Sequence, residues 1–307
     1  MGDGPSAVDD APTLTDSGLE TWLVFHRAVD LPDFAAFPLL DDPSGRELLA
    51  EYFRDHLRVA ATAGLGLVLE TPTWRANRDW GARLGYDAAA LGRVNRDSVA
   101  FLRALAAESS DVDVVVSGNI GPRGDGYSPS ELLTPDAAQS YHRPQIEAFA
   151  AAGADRVTML TATHTGEPIG VVRAAVAAGV PVVIAFTVET NGMLPSGQAL
   201  HEAIAEVDAA TVGAVLHFGI NCAHPDHFSS ALDARSPATS RIELLRANAS
   251  RASHAELDDA EELDDGDPDE LAELYSQLRR RHPNLRVLGG CCGTDVRHVA
   301  AIARRCL

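Results

Sequence analysis

Short apolar runs, rich in β-branched residues, recur along the chain, and each is followed by a longer Ala- and Leu-rich stretch whose apolar positions return every three or four residues. The short runs read as buried strands at Leu65 to Thr71, Val112 to Gly121, Arg156 to Ala162, Pro181 to Val188, Val212 to Cys222, Ile242 to Ala247 and Leu285 to Gly290, with a weaker one at Pro12 to Ser17. The stretches between them read as helices, most distinctly at Gly45 to Ala63, Asp87 to Ala107, Pro135 to Ala152, Glu167 to Ala178, Gly197 to Val207, Asp269 to Arg280 and Asp295 to Arg305. Pairs such as Ala63-Gly64 and Gly179-Val180 stop a helix and lead straight into a strand.

Strands alternating with helices over the whole length require a parallel sheet, and about eight such units close it on itself. The expected fold class is therefore α/β, a single-domain (β/α)8 TIM barrel over residues 12–307, behind a polar tail at 1–11 that reads as disordered. In such barrels chemistry gathers at the C-terminal ends of strands. That rule selects TDSGLET (15–21), ETPTWRAN (70–77), SGNIGPRG (117–124), TATHTGE (161–167), GINCAHPDH (219–227), RANAS (246–250) and GGCCGTD (289–295).

Composition removes several function classes. The formal net charge of −19 leaves no surface to neutralise phosphates, so nucleic acid and anionic membranes are not expected partners. All 25 basic side chains are Arg, so no Lys amine exists for Schiff-base chemistry. The N-terminus lacks a basic start followed by an apolar run, and no window is apolar enough to span a bilayer, which predicts a cytoplasmic protein with reduced thiols. The acidic stretch at 255–270 reads as a solvated loop or helix.

Four cysteines in a reducing compartment suggest ligands, nucleophiles or packing rather than a disulfide framework. Cys291 and Cys292 follow a strand between glycines, and Cys222 ends a strand two units earlier, so a closed barrel brings the three thiols to one mouth. Three soft sulfur ligands with one position open describe a catalytic zinc site, making Zn2+ the expected cofactor. A nucleophilic or redox pair and plain packing are the competing readings. His224 and His227 flank Cys222 and read as surface or supporting residues, and Cys306 as structural.

GINC (219–222) and VLGGCCGT (287–294), together with TDSGLET, AGLGLVLETPTW (63–74), SGNIGP (117–122) and YHRPQIEAFAAAGAD (141–155), give a chain that resembles the homocysteine S-methyltransferase family over nearly its whole length. The resemblance implies a methyltransferase of methionine biosynthesis, in which zinc on Cys222, Cys291 and Cys292 binds homocysteine through sulfur and the thiolate takes a methyl group from an onium donor, giving methionine. It implies that Asp16 meets the substrate ammonium, that backbone amides near Ser17 and Gly18 receive its carboxylate, and that Thr71, Thr73, Asn221, Asn248 and Glu167 line or support the site. For each of these polar side chains, capping a loop is the competing reading. S-methylmethionine and S-adenosylmethionine are the donors implied; for betaine, Trp74 offers an aromatic face, with a barrel-rim role as the alternative.

The chain also departs from the family pattern. Leu160 stands where the family's fourth strand carries a Glu, leaving Asp16 as the expected ammonium partner and admitting another small thiol or selenol as acceptor. Arg75 stands where some relatives place a Tyr that occupies the fourth zinc position, so that closure is not expected. The rival functions are a zinc hydrolase and a thiol-binding barrel without methyl transfer.

Overall fold

The computed structural model describes residues 12–127, 132–234, 236–260 and 262–307, so the tail at 1–11 lies outside the described residues. Its strands are β1 (Thr13–Thr15), β2 (Gly66–Glu70), β3 (Val114–Ile120), β4 (Arg156–Ala162), β5 (Val182–Phe186), β6 (Phe218–Asn221), β7 (Ile242–Ala247) and β8 (Val287–Gly290). All pair in parallel and in chain order, and Thr13 and Leu14 of β1 close the ring on Val287 and Leu288 of β8. The expected (β/α)8 barrel is the observed fold.

Strand alternation separates two apolar layers. Leu67 and Leu69 of β2 belong to the large core between strands and helices, whereas Val68 joins Leu160, Val183, Ala185, Leu244 and Val287 in a small cluster inside the barrel. Glu70, two positions beyond Val68, continues the inward face and is buried. Helices cover the barrel from outside: Pro43–Ala63 is capped by Asp42, which accepts the Gly45 N–H at 2.7 Å, and ends on left-handed Gly64 (φ 66°).

One local expectation changes. The run from Val212 to Cys222 yields only four strand residues, because Val212 closes the preceding helix in a left-handed conformation (φ 55°) with its side chain 94% exposed. β-Branched composition alone had suggested a longer strand. A short helix, Pro225–Leu232, follows β6, its start set by Pro225 at the first helical position and by the His224 cap. The acidic stretch opens with the helix His254–Asp258 behind a Ser253–Glu256 capping box. Among the described residues no helix is long and apolar enough to cross a membrane.

Candidate metal and substrate site

Cys222 follows β6 in a left-handed conformation (φ 57°), which costs a non-glycine residue about 1–2 kcal/mol. The turn is held from three sides. The Cys222 N–H donates to the Arg246 carbonyl at 3.0 Å, while its own carbonyl accepts from His254 Nε2 at 2.6 Å and Thr187 Oγ1 at 3.3 Å. Cys291 follows β8, its N–H donating to the Ala247 carbonyl at 2.8 Å and its carbonyl accepting from Thr294 Oγ1 at 2.7 Å. A Cβ on Gly18 would collide with the Cys291 carbonyl oxygen, so only glycine lets the β1 and β8 ends approach this closely. Gly18→Ala is therefore expected to displace the Cys291 turn and weaken metal binding by about 10- to 100-fold. A competition titration against a chelator measures this; an unchanged affinity would show the contact to be unimportant.

Three sulfurs converge as the strand order requires. The Cys222 and Cys292 sulfurs lie 3.4 Å apart, and the three ligating atoms all lie within 4.8 Å of one another. Tetrahedral zinc with Zn–S bonds of about 2.3 Å needs S···S separations of roughly 3.8 Å, so the cluster fits that ion. Hydrogen bonds from Cys222 and Cys292 hold the Cys291 thiol well below the usual thiol range, with the Arg246 guanidinium adding to the effect. The same proton sharing pushes the Cys222 thiol up, so a second thiolate in this cluster requires a cation beside it.

The narrow cavity above the sulfurs is lined by Asp16, Glu20, Glu70, Thr71, Asn119, Tyr127, Leu160 and Asn221, among others. Asp16 is already paired: Arg246 Nη1 lies 2.5 Å from its Oδ1, both side chains being buried. Among the described residues, Glu70 Oε2 and Asn119 Oδ1 are buried and find no hydrogen-bond partner. Burial raises the Glu70 carboxyl above its ordinary value and pushes Glu20 up to about 7. Leu160 is an apolar side chain in the barrel interior, and the carboxyl groups lining this cavity come from β2 and from the turn after β1.

A tyrosine does reach the sulfurs. Tyr127, in the loop after β3, places its hydroxyl 2.8 Å from Cys222 Sγ and 3.7 Å from Cys292 Sγ, with its ring stacked 4.1 Å from His254. The expectation drawn from Arg75 at β2 is thus corrected: a phenol is available here from another strand. Burial and the neighbouring thiols raise its pKa well above the usual phenol value, so it stays protonated.

The other sequence-selected residues divide by position. Thr71 lines the cavity, and Asn221 accepts the Thr161 N–H at 2.7 Å and lies 4.0 Å from Cys291 Sγ. Thr73 bonds Thr71 at 2.6 Å and the Asn119 carbonyl at 2.8 Å, behind the lining. Glu167 accepts from His142 Nε2 and the Arg123 N–H, at 2.7 and 2.8 Å, away from the sulfurs. Asn248 is buried with Oδ1 unpartnered and is not part of the lining. The amides expected to receive a carboxylate are engaged: the Ser17 N–H donates to Tyr52 Oη at 3.0 Å and the Gly18 N–H to the Thr294 carbonyl at 3.2 Å. His224 caps a helix by accepting the Asp226 N–H at 3.2 Å, and His227 bonds the Arg251 carbonyl at 3.0 Å. Cys306 donates to the Ala272 carbonyl at 3.3 Å, remote from the cluster.

A second, wider cavity of about 380 Å³ opens beside the first and shares Thr21, Phe34, Trp74, Tyr127 and Cys292 with it. Its rim carries Asp125, Glu262 and Asp264.

A sequence profile described as homocysteine S-methyltransferase matches residues 13–306. The chain is 26% identical to the homocysteine S-methyltransferase of Escherichia coli (strain K12), covering 95% of this chain and 94% of that one. Its fold is similar to crystal structures of the Escherichia coli homocysteine methyltransferase in a metallated form (TM-score 0.77, 24% identity, 96% of both chains) and an oxidized form (TM-score 0.79, 24% identity, 98% of both chains).

Proposed function

The chain belongs to the homocysteine S-methyltransferase family, and on that premise we propose that it is a zinc-dependent enzyme that moves a methyl group from a sulfonium donor to the sulfur of homocysteine. The observation that carries the reading is that two cavities of different character adjoin at the sulfur cluster, Cys292 lining both and Cys222 and Cys291 lining the narrow one. One is narrow and acid-walled, suited to an amino-acid thiol. The other is wide and aromatic with an acidic rim, suited to a cationic donor.

Cys222, Cys291 and Cys292 would hold Zn2+. When bound, the ion supplies one open coordination position that takes a thiol sulfur and releases its proton near neutral pH. The protein's own residues then position the partners. Glu70 Oε2 and Asn119 Oδ1 offer unpartnered acceptors to the homocysteine ammonium, with Glu20 and the Arg246-held Asp16 in the same wall. Leu160 and the interior cluster beneath it keep water from the sulfur side. The donor approaches from the wide cavity, so the methyl group passes between two groups already fixed in line. We assign S-methylmethionine as the preferred donor over S-adenosylmethionine, because no glycine-rich nucleotide loop follows a strand. Methionine formation measured with each donor tests this: kcat/KM higher for S-methylmethionine supports it, and a preference for S-adenosylmethionine overturns the donor assignment.

Two further outcomes are expected. The Glu20 carboxyl, held near 7, is neutral below that pH and negative above it, so the KM for homocysteine should rise as pH falls through about 7. Glu20→Gln should flatten that part of the profile; an unchanged profile would remove Glu20 from acceptor binding. Tyr127→Phe should retain zinc and lower kcat/KM for homocysteine by about 10- to 100-fold, the effect of losing one hydrogen bond to a charged sulfur. Unaltered kinetics would reduce the phenol to packing.

A further inference from the structure

Arg75 is 8% exposed, and among the described residues no carboxylate lies within ion-pair distance of it; the charge of Asp125 reaches it only from further away. Its Nη1 donates to the Gly124 carbonyl at 3.1 Å, and its buried Nε finds no acceptor among the described residues. The guanidinium is stacked between two indoles, its Cζ 4.2 Å from the Trp74 ring centroid and 3.7 Å from that of Trp80. Burial lowers its pKa to about 10, so it remains a cation at physiological pH. A buried, unpaired cation is costly, and stacking compensates only the faces of the guanidinium. Its edge, with the donors that recognise a carboxylate in a two-point fork, is left to whatever fills the space it lines. That space is the wide cavity, whose lining includes Cys292.

Resting on the reading above, we propose that Arg75 binds the carboxylate of the methyl donor, and that this protein selects donors carrying a carboxylate and a positive sulfonium in one molecule. Cation and anion sites are then both present in one chamber, whose lining includes Arg75 with Trp74 stacked on it, the carboxylates Asp125, Glu262 and Asp264, and Cys292 of the sulfur cluster. Because the indoles hold the guanidinium in one plane before the donor arrives, little side-chain freedom remains to be lost on binding. Asp125 is engaged locally, accepting the Tyr127 N–H at 2.8 Å, which ties the rim to the tyrosine on the sulfurs.

The test is a calorimetric titration of the zinc-loaded protein, without homocysteine, using S-methylmethionine and its decarboxylated analogue (3-aminopropyl)dimethylsulfonium. The wild-type protein is expected to bind the first at least 30-fold more tightly. Arg75→Gln should erase that difference by weakening S-methylmethionine alone, Arg75→Lys should restore part of it, and the KM for homocysteine should not move. Equal weakening of both probes would make Arg75 a packing residue, a change confined to homocysteine would place it in the acceptor site, and no discrimination by the wild-type protein would also overturn the proposal. Turnover is not needed for the titration. A protein that discriminates the probes but forms no methionine would therefore overturn the functional reading and leave the assignment of Arg75 standing.

Discussion

Cys291→Ala is expected to leave a folded barrel that has lost its zinc and forms no measurable methionine. Two thiolates cannot replace three in a site with one open position, and the loss in metal affinity should be about 1000-fold or more. The substitution removes a partly exposed side chain in a loop, outside the apolar layers that hold the barrel, so the melting temperature of the metal-free protein should change little. Metal analysis after dialysis against a chelator, together with the transfer assay, checks both halves. Retained zinc and activity would place the chemistry away from the cysteine cluster.

Arg246→Met should be the most destabilising of the substitutions considered. One buried guanidinium from β7 holds Asp16 at 2.5 Å, Thr15 Oγ1 at 2.8 Å, the Ser17 carbonyl at 3.0 Å and the Gly290 carbonyl at 3.1 Å, so it fastens the end of β1 to the end of β8. Removing it leaves the Asp16 carboxylate buried without its cation, at a cost of about 3–5 kcal/mol. For a chain of this length that corresponds to a fall in melting temperature of roughly 5–8 °C. Adding Asp16→Asn should recover part of the loss, since the stranded charge is then gone. Thermal unfolding of the metal-free proteins measures both effects, and an Arg246→Met protein melting within about 1 °C of the wild type would contradict the assignment.

The barrel was legible in the sequence because every strand is an apolar run between periodic helices, and the cysteine cluster was legible because GINC and GGCC stand at strand ends. The acidic wall was less visible. Glu70 sits inside the quoted motif AGLGLVLETPTW, and a carboxylate closing an otherwise apolar buried strand was the available signal. The resemblance gives Asp16 as the ammonium partner, and local sequence does not show that Arg246, far along the chain, also pairs with it across the closed ring. Tyr127 was missed for a similar reason. It lies in an irregular loop with no periodicity, and only the fold brings its hydroxyl to Cys222. The engaged amides of Ser17 and Gly18 follow from contacts with Tyr52 and Thr294, again set by closure rather than by local pattern.

The most direct test is zinc X-ray absorption on the reduced, zinc-loaded protein before and after addition of homocysteine. The expected result is one zinc per chain with three sulfur neighbours alone and a fourth at a similar distance, about 2.3 Å, once homocysteine is bound. A reduced protein that holds no zinc, or one whose sulfur count stays at three with homocysteine present, would contradict it.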